Sequence, residues 1–481
     1  MSQEFDVIVI GAGAVGENVA DRAVQGGLTV ALVEAELVGG ECSYWACMPS
    51  KALLRSGEAV RSAQHVGGAA EAVTGDIDVA AVLKRRDSFT SGWDDSGQVE
   101  WVRGAGIELV RGHAMFTGVK ELRVTAEGGA ESTLVARHAV VVSTGSTALL
   151  PDVPGLAEAR PWTSREATSA KSIPARLTVV GGGVVAVEMA TAYASLGAEV
   201  DLVSRGKLLA TQEPFAGEIV ATSLEGLGVR LHLEHSPTEV RRGDDGVVRT
   251  TLDDGTVLES EEILVATGRL PRTGDLGLEA IGLTPGDWLH VDDSLRVLGD
   301  DGAPLGEGWL YATGDVNHRA LLTHQGKYQA RAAGDAIVAR ATGETVHDGP
   351  WGKHAATADH RAVPQVTFTD PPVASIGLTA AAAEKEGLRT RVVDYEIGSV
   401  AGASVHSDGY TGTARMVVDE DRQVIVGVTF VGPDMQELLH SATVAVVGEV
   451  PLSRLWHAVP SYPTISEVWL RLLEGYGRQS A

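Results

Sequence analysis

Cys42 and Cys47 are the only cysteines in 481 residues, and four residues separate them. They stand in the run Gly39-Gly40-Glu41-Cys42-Ser43-Tyr44-Trp45-Ala46-Cys47-Met48-Pro49-Ser50-Lys51, just ahead of an apolar stretch, Ala52-Leu53-Leu54, that reads as a helix. A cysteine at a helix start lies among unpaired N–H groups at the positive end of the helix dipole, which favours the thiolate that exchange chemistry needs. The pattern points to a redox pair. A structural disulfide is the competing reading, but so short a loop constrains the unfolded chain weakly, and a chain of this length does not need a staple. A structural metal site would require two more thiolate or imidazole ligands at regular spacing, and the neighbouring sequence has no such cluster.

Such a pair needs a scaffold and an electron source, and the flanking sequence supplies both. Residues 5–10 are an apolar run rich in β-branched side chains, followed by Gly11-Ala12-Gly13-Ala14-Val15-Gly16 and a helical pattern through Ala23. Glycines at this spacing allow a tight turn, let the backbone approach a pyrophosphate and let helix pack on strand. A second strand over 29–33 ends in Glu34, at the distance where an acid holds a ribose hydroxyl. The same pattern recurs at Leu177-Thr178-Val179-Val180-Gly181-Gly182-Gly183-Val184-Val185-Ala186, with its second strand at 199–203, so two dinucleotides are expected. Where the first unit has Glu34 the second has Ser204-Arg205. A guanidinium can bind a 2′-phosphate that an acid would repel, which favours NADPH over NADH; a solvated surface cation is the other reading of Arg205.

The rest of the chain is read more coarsely. Residues 67–90 are Ala- and Val-rich and suggest helices, residues 139–146 read as a buried strand running into a turn, and Pro151, Pro154 and Gly155 mark a boundary. Residues 263–269 close the second nucleotide unit. Thr313-Gly314-Asp315 stops another apolar run, with Asp315 placed to accept a hydrogen bond from a polyol and a helix starting near His324, which either touches a cofactor or caps the helix. After Gly349-Pro350-Trp351-Gly352 come antiparallel β signals and a helix over 435–447. The expected architecture is α/β, with two Rossmann-like domains and a C-terminal α+β domain. Its boundaries are 1–155 and 272–349 for the first nucleotide domain, 156–271 for the second and 350–481 for the last. A net charge of −25 argues against nucleic acid or an anionic membrane as partner. With no basic leader and no long apolar stretch, the cytoplasm is expected; a lone cysteine pair in that reducing compartment is more often catalytic than structural.

Together, two dinucleotide units, Cys-x4-Cys at a helix start and a C-terminal α+β domain resemble the flavoprotein pyridine-nucleotide disulfide reductases, the family of glutathione reductase, dihydrolipoamide dehydrogenase and mercuric reductase. The resemblance covers essentially the whole chain, and Thr144-Gly145, Ala266-Thr267-Gly268-Arg269 and Thr313-Gly314-Asp315 follow in the same order. It implies FAD held by Gly11, Gly13, Gly16, Glu34, Gly40, Lys51, Ala114, Thr144, Gly145 and Asp315, a pyridine nucleotide held by Gly181, Gly183, Ala186, Ser204 and Arg205, and Gly268 as a further cofactor contact. It further implies a Cys42–Cys47 redox disulfide, with Cys47 the thiolate nearer the flavin and Cys42 the thiol that meets substrate. Lys51 pairs with Glu188 in that scheme, for which a surface salt bridge is the competing reading. The family's sites combine two subunits, so a homodimer is expected.

One departure stands out. Where glutathione reductase and dihydrolipoamide dehydrogenase have His-Pro-Thr with an orienting glutamate, this chain has Tyr462-Pro463-Thr464 and keeps Glu467. The imidazole base is missing, and a tyrosine with an ordinary pKa of about 10 is a poor substitute. His457 is out of register and reads as a helix-end or surface residue. Mercuric reductase resembles the chain at Tyr462, but its C-terminal cysteine pair has no counterpart in residues 477–481. Tyr44-Trp45 adds aromatic bulk between the cysteines, for a flat acceptor or for simple packing. The expected activity is NADPH oxidation through flavin and Cys42–Cys47 to a small disulfide or quinone-like acceptor. The alternatives are dihydrolipoamide dehydrogenase, disfavoured by Tyr462 and Arg205, and a non-enzymatic redox-sensing flavoprotein.

Overall fold

The computed structural model describes residues 2–478; Gln479, Ser480 and Ala481, the end of the cysteine-free terminal segment, lie outside the described residues. The chain divides into two compact units that interleave in sequence. The first takes the residues up to Pro49, Asp87–Leu149 and Gly268–His360; the second takes Ser50–Arg86, Leu150–Thr267 and the chain from Arg361 onward.

In the first unit Val7, Ile8, Val9 and Ile10 are all buried, as are Ala139 through Val142. Continuous apolar runs of this kind suit parallel strands covered on both faces, and each such side chain contributes about 1.5–3 kcal/mol by leaving water. They lie in the strands Ser2–Ile10 and Glu131–Val142, which pair in parallel at the centre of a seven-stranded sheet. Val30–Glu34 and Glu108–Arg111 extend the parallel part on one side, while Glu121–Thr125 and His113–Gly118 continue antiparallel on the other; Leu310–Ala312 pairs with Val140–Val142. The helix Gly16–Gln25 packs against Thr323–Thr342 at close range, where a Cβ on Gly334 would stand 2.6 Å from Arg22 Cβ and one on Gly26 2.3 Å from Val338.

In the second unit a four-stranded parallel sheet runs Arg230–Leu233, Glu199–Ser204, Arg176–Val180, Glu262–Val265. Its helix Val184–Ser195 is buried from Ala186 through Tyr193. An antiparallel trio, Pro237–Arg242, Val248–Leu252 and Val257–Ser260, follows the strand and helix signals of a nucleotide domain. The C-terminal part is a five-stranded antiparallel sheet, Pro364–Thr367, Val373–Gly377, Val424–Val431, Thr413–Asp419, Thr390–Glu396, with the helices Met435–Val447 and Val468–Tyr476. The stretch 67–90 is less helical than its composition suggests: only Val79–Phe89 forms an α-helix, preceded by a single 3-10 turn at Ala70–Ala72, because Gly67, Gly68 and Gly75 interrupt the run. Among the described residues no helix is long and apolar enough to cross a membrane.

Candidate active site

Gly39 and Gly40 both have positive φ, 110° and 59°, and turn the chain into the short helix Gly40–Tyr44 that carries Cys42. Cys47 opens the helix Cys47–Gln64, whose third residue is a proline that needs no hydrogen-bond partner there. The two sulfurs are unbonded thiols. The Cys42 thiol is hydrogen-bonded to Cys47, which together with burial pushes its pKa well above the usual thiol range, while the nearby Lys327 charge works against that rise. Helix position alone suggests easier ionisation; at Cys42 the neighbouring sulfur and desolvation push the other way. Cys47 Sγ lies 3.2 Å from Thr323 Oγ1, at the head of the helix Thr323–Thr342. Tyr44 is buried, edge-on to Trp45 with ring centres 5.7 Å apart, and its carbonyl accepts from Trp93 Nε1 at 3.1 Å, so its bulk serves packing.

The first glycine turn is built for a close approach. A Cβ on Gly11 would stand 2.5 Å from the Ser143 carbonyl oxygen, one on Gly16 1.9 Å from that of Gly11, and one on Gly40 2.7 Å from Gly13 Cα. No side chain caps the helix Gly16–Gln25, and within its first turn Glu17 N donates to Gly13 O at 3.1 Å and Asn18 N to Val15 O at 3.0 Å. Glu34, at the strand end, accepts from Ala12 N and Glu36 N, each at 2.7 Å, and each oxygen keeps capacity for a hydroxyl donor. Burial raises the Glu34 carboxyl pKa above its ordinary value against those two bonds. The space over Gly145 is open, its carbonyl accepts from Arg272 N, and Thr144 Oγ1 donates to Arg272 O at 2.7 Å. Asp315 Oδ2 accepts from Ser146 Oγ at 2.5 Å, with Arg269 Nε 3.8 Å away. Ala114 is buried in the strand His113–Gly118, and Gly268 has a φ of 152°. A tight glycine turn at the head of a helix, with an acid at the strand end, fits the adenosine and pyrophosphate of FAD.

In the second unit a Cβ on Gly181 would meet the Ala266 carbonyl oxygen at 2.3 Å, and the space over Gly183 is open. Ala186 replaces the third glycine and is fully buried. Ser204 is buried, and its Oγ would meet a Cβ on Gly182 at 2.3 Å, so the strand end lies against the glycine turn. Arg205 beside it is exposed and has no ion pair or hydrogen bond among the described residues. This set fits a pyridine nucleotide. Lys51 Nζ donates to Glu188 Oε2 at 2.7 Å and lies 4.7 Å above the centre of the Phe368 ring, while Phe368 N donates to Glu188 Oε1 at 2.9 Å.

Tyr462 is 77% exposed and its hydroxyl makes no hydrogen bond among the described residues. Glu467 is buried: Oε1 accepts from Arg471 Nη2 at 2.5 Å, and Oε2 has no hydrogen-bond partner among the described residues. His457 and His324 are both exposed. Sequence reasoning missed Thr323, Lys327, Phe368 and the Arg272–Glu41 bond of 2.9 Å that ties the residue before Cys42. Thr323 and Lys327 carried a usable signal, one helical turn apart at the start of a helix that follows Asp315; Phe368 carried none.

Comparison with known proteins speaks to family and fold. Residues 5–343 match the family model described as pyridine nucleotide-disulphide oxidoreductase, and residues 363–472 match that family's dimerisation domain. The chain is 32% identical to a dihydrolipoyl dehydrogenase of Halobacterium salinarum, covering 98% of this chain and 96% of that protein. It is 31% identical to a mercuric reductase of Shigella flexneri, covering 97% of this chain and 80% of that one. Among solved structures, the HOCl-induced flavoprotein disulfide reductase RclA from Escherichia coli superposes with a TM-score of 0.80 at 23% identity, over 98% of this chain and 99% of that one, a likeness of fold. The chain is therefore an enzyme of the pyridine nucleotide-disulphide oxidoreductase family, which uses FAD and a pyridine nucleotide.

Proposed function

We propose that this enzyme oxidises NADPH and passes the electrons through the Cys42–Cys47 pair to a small disulfide or a quinone-like acceptor. The observation that carries the reading is the thiol of Cys42 hydrogen-bonded to Cys47, with Cys47 in turn against Thr323. Gly11, Gly13, Gly16, Glu34, Gly40, Ala114, Thr144, Gly145 and Asp315 would hold FAD; Gly181, Gly183, Ala186 and Ser204 would hold NADPH, with Arg205 on its 2′-phosphate. Bound FAD supplies a two-electron relay from the nicotinamide to the cysteines. With a disulfide acceptor, Cys42 loses its proton and its sulfur attacks one acceptor sulfur. The acceptor S–S bond breaks and the first thiol leaves with a proton. Cys47 then attacks the Cys42 sulfur, the second thiol leaves, and the Cys42–Cys47 disulfide closes.

In the sequence pattern of the family Tyr462 takes the place of a histidine, the near-neutral base that would speed that first deprotonation. The raised Cys42 pKa then predicts that kcat/KM with a disulfide climbs as pH rises through and beyond neutrality, since only the thiolate attacks. With a quinone that takes electrons without this thiol, the profile stays flat. We take the active form to be a cytoplasmic homodimer through residues 363–472, for which sedimentation is the check. The named relatives favour dihydrolipoamide as a second substrate to assay with NAD+; fast turnover there would displace the first reading.

The deciding experiment is an anaerobic NADPH titration of the wild type and Cys47→Ser, followed by absorbance. A long-wavelength band that the substitution abolishes supports the redox pair. Direct bleaching in both proteins overturns it.

A further inference from the structure

Behind the Thr313-Gly314-Asp315 turn lies a buried polar cluster with the charged acceptor Asp359 at its centre, a residue outside every motif described above. Its side chain is wholly buried. Oδ1 accepts from Gln325 Nε2 and Oδ2 from Gln329 Nε2, both at 2.9 Å. The two glutamines are one turn apart on the helix Thr323–Thr342 and are themselves buried. Gln329 Oε1 in turn accepts from Gly314 N and from Asn317 Nδ2, each at 2.8 Å, and Asn317 Nδ2 also donates to Ala312 O at 3.1 Å. Arg319 Nη1 stands 3.8 Å from Asp359 and compensates its charge, while Arg319 Nη2 donates to Asp293 Oδ1 at 2.9 Å.

The logic of donors and acceptors makes this arrangement directional. A carboxylate offers acceptors only, so both amide NH2 groups must face it, and the Gln329 oxygen is thereby forced toward the turn. Gly314 has a φ of 78° and a carbon of Gly326 would sit 3.2 Å from its Cα if it carried a Cβ, so turn and helix start are in close register. The same helix begins with Thr323, whose hydroxyl lies against Cys47.

We propose that Asp359 is a positioning residue for the redox centre: through the Gln325 and Gln329 amides it holds the Gly314–Asn317 turn, and with it the head of the helix that presents Thr323 to Cys47. The inference rests on the reading of Asp315 as a flavin contact and Cys47 as a redox thiol, and it treats those two ends separately.

The test compares Asp359→Ala, Asp359→Asn and Gln329→Met as purified holoenzymes. Alanine frees both amides, and so leaves Gly314 N and Asn317 without a fixed acceptor. Asparagine can keep the Gln329 bond, because Gln325 is free to turn its amide over and accept from the new NH2. Release of FAD on dilution, read by flavin fluorescence, gives its dissociation constant. Asp359→Ala and Gln329→Met are expected to raise it about tenfold or more, and Asp359→Asn to stay near wild type, since roughly two neutral hydrogen bonds are at stake. A second readout, in a Cys42→Ser background, is the pH midpoint for alkylation of Cys47 by iodoacetamide, which should shift in the same two variants. If the variants only lower the melting temperature of the protein while the FAD constant and the alkylation midpoint stay unchanged, Asp359 is a stability residue and the inference falls. If Asp359→Ala does not fold, Gln329→Met decides alone. Should Cys47→Ser retain the long-wavelength band in the titration above, the redox reading of Cys47 fails, while the FAD arm still judges the clamp.

Discussion

At the third small position of its glycine turn the first nucleotide unit has Gly16, followed by Glu17, and the second has Ala186, followed by Val187. At the end of the next strand the first has Glu34 and the second Ser204-Arg205. Both units share one topology, with parallel strands joined through a helix that no side chain caps. They differ in how tightly the helix meets the turn. A Cβ at Gly16 would lie 1.9 Å from a backbone oxygen, whereas the real Cβ of Ala186 is accommodated, 3.4 Å from where a Cβ on Gly181 would stand. The difference teaches that the glycine pattern is set by local clearance, while the strand ends differ in charge, an acid at Glu34 against a cation at Arg205.

The sharpest way to break this comparison is Gly16→Ala. The obstructing atom belongs to the backbone of Gly11, so the turn itself must move; we expect a loss of about 4 kcal/mol or more and failure to retain FAD, read by denaturation and by the flavin content of the purified protein.

The next effect concerns the neighbouring positions. Val187 is wholly buried and apolar, but Glu17 is 8% exposed, and one of its carboxylate oxygens has no hydrogen-bond partner among the described residues. Burial raises its pKa from 4.5 to about 7, with the Glu34 charge adding to the rise and Lys327 opposing it. A folded-state pKa above the unfolded one means that the native protein holds the proton longer. Stability from this group is full below about pH 4.5 and is lost as pH climbs to 7. Glu17→Gln should therefore be more stable than wild type at pH 8 by as much as about 3 kcal/mol, and the advantage should vanish at pH 4. Urea melts at the two pH values measure it.

Third comes Arg205→Ala. A charge-assisted bond to phosphate is worth roughly 2 kcal/mol, so kcat/KM for NADPH should fall by about 10- to 100-fold while that for NADH stays put. Equal falls for both coenzymes would mean that Arg205 does not read the 2′-phosphate. The smallest effect is expected from Ala186→Gly, about 1 kcal/mol through helix propensity alone, because the turn beside it already has room. A larger loss would show that the methyl group packs against something essential.

Much of this architecture is legible in the chain because a glycine fingerprint encodes its own turn, and because a run such as Val7 to Ile10 tolerates no other place than a covered parallel strand. The antiparallel strands of the C-terminal part and the helix Met435–Val447 are readable for the same local reasons. Cys42 and Cys47 are conspicuous as the only thiols. Other features escape such reading. The assignment of Ser50–Arg86 to the second unit, the Gln329 bond to Gly314 and the seat of Glu188 against Phe368 N all depend on contacts between segments distant in sequence. Nothing in the composition around Asp359 distinguishes it from a surface acid, and only three-dimensional burial makes its acceptors scarce and therefore directive.

The Lys51–Glu188 pair bears on ionic strength. Glu188 is 3% exposed and its two oxygens are occupied by Lys51 and by Phe368 N, so the pair is close to neutral as a whole and partly shielded by the aromatic ring. Dissolved salt screens exposed charges over roughly 8 Å at physiological concentration but penetrates little between partners already in contact. Any binding or rate that depends on Lys51 should thus be nearly indifferent to added salt, while the contribution of the solvent-facing Arg205 should fade with it. Raising sodium chloride sorts the two cations without altering a residue.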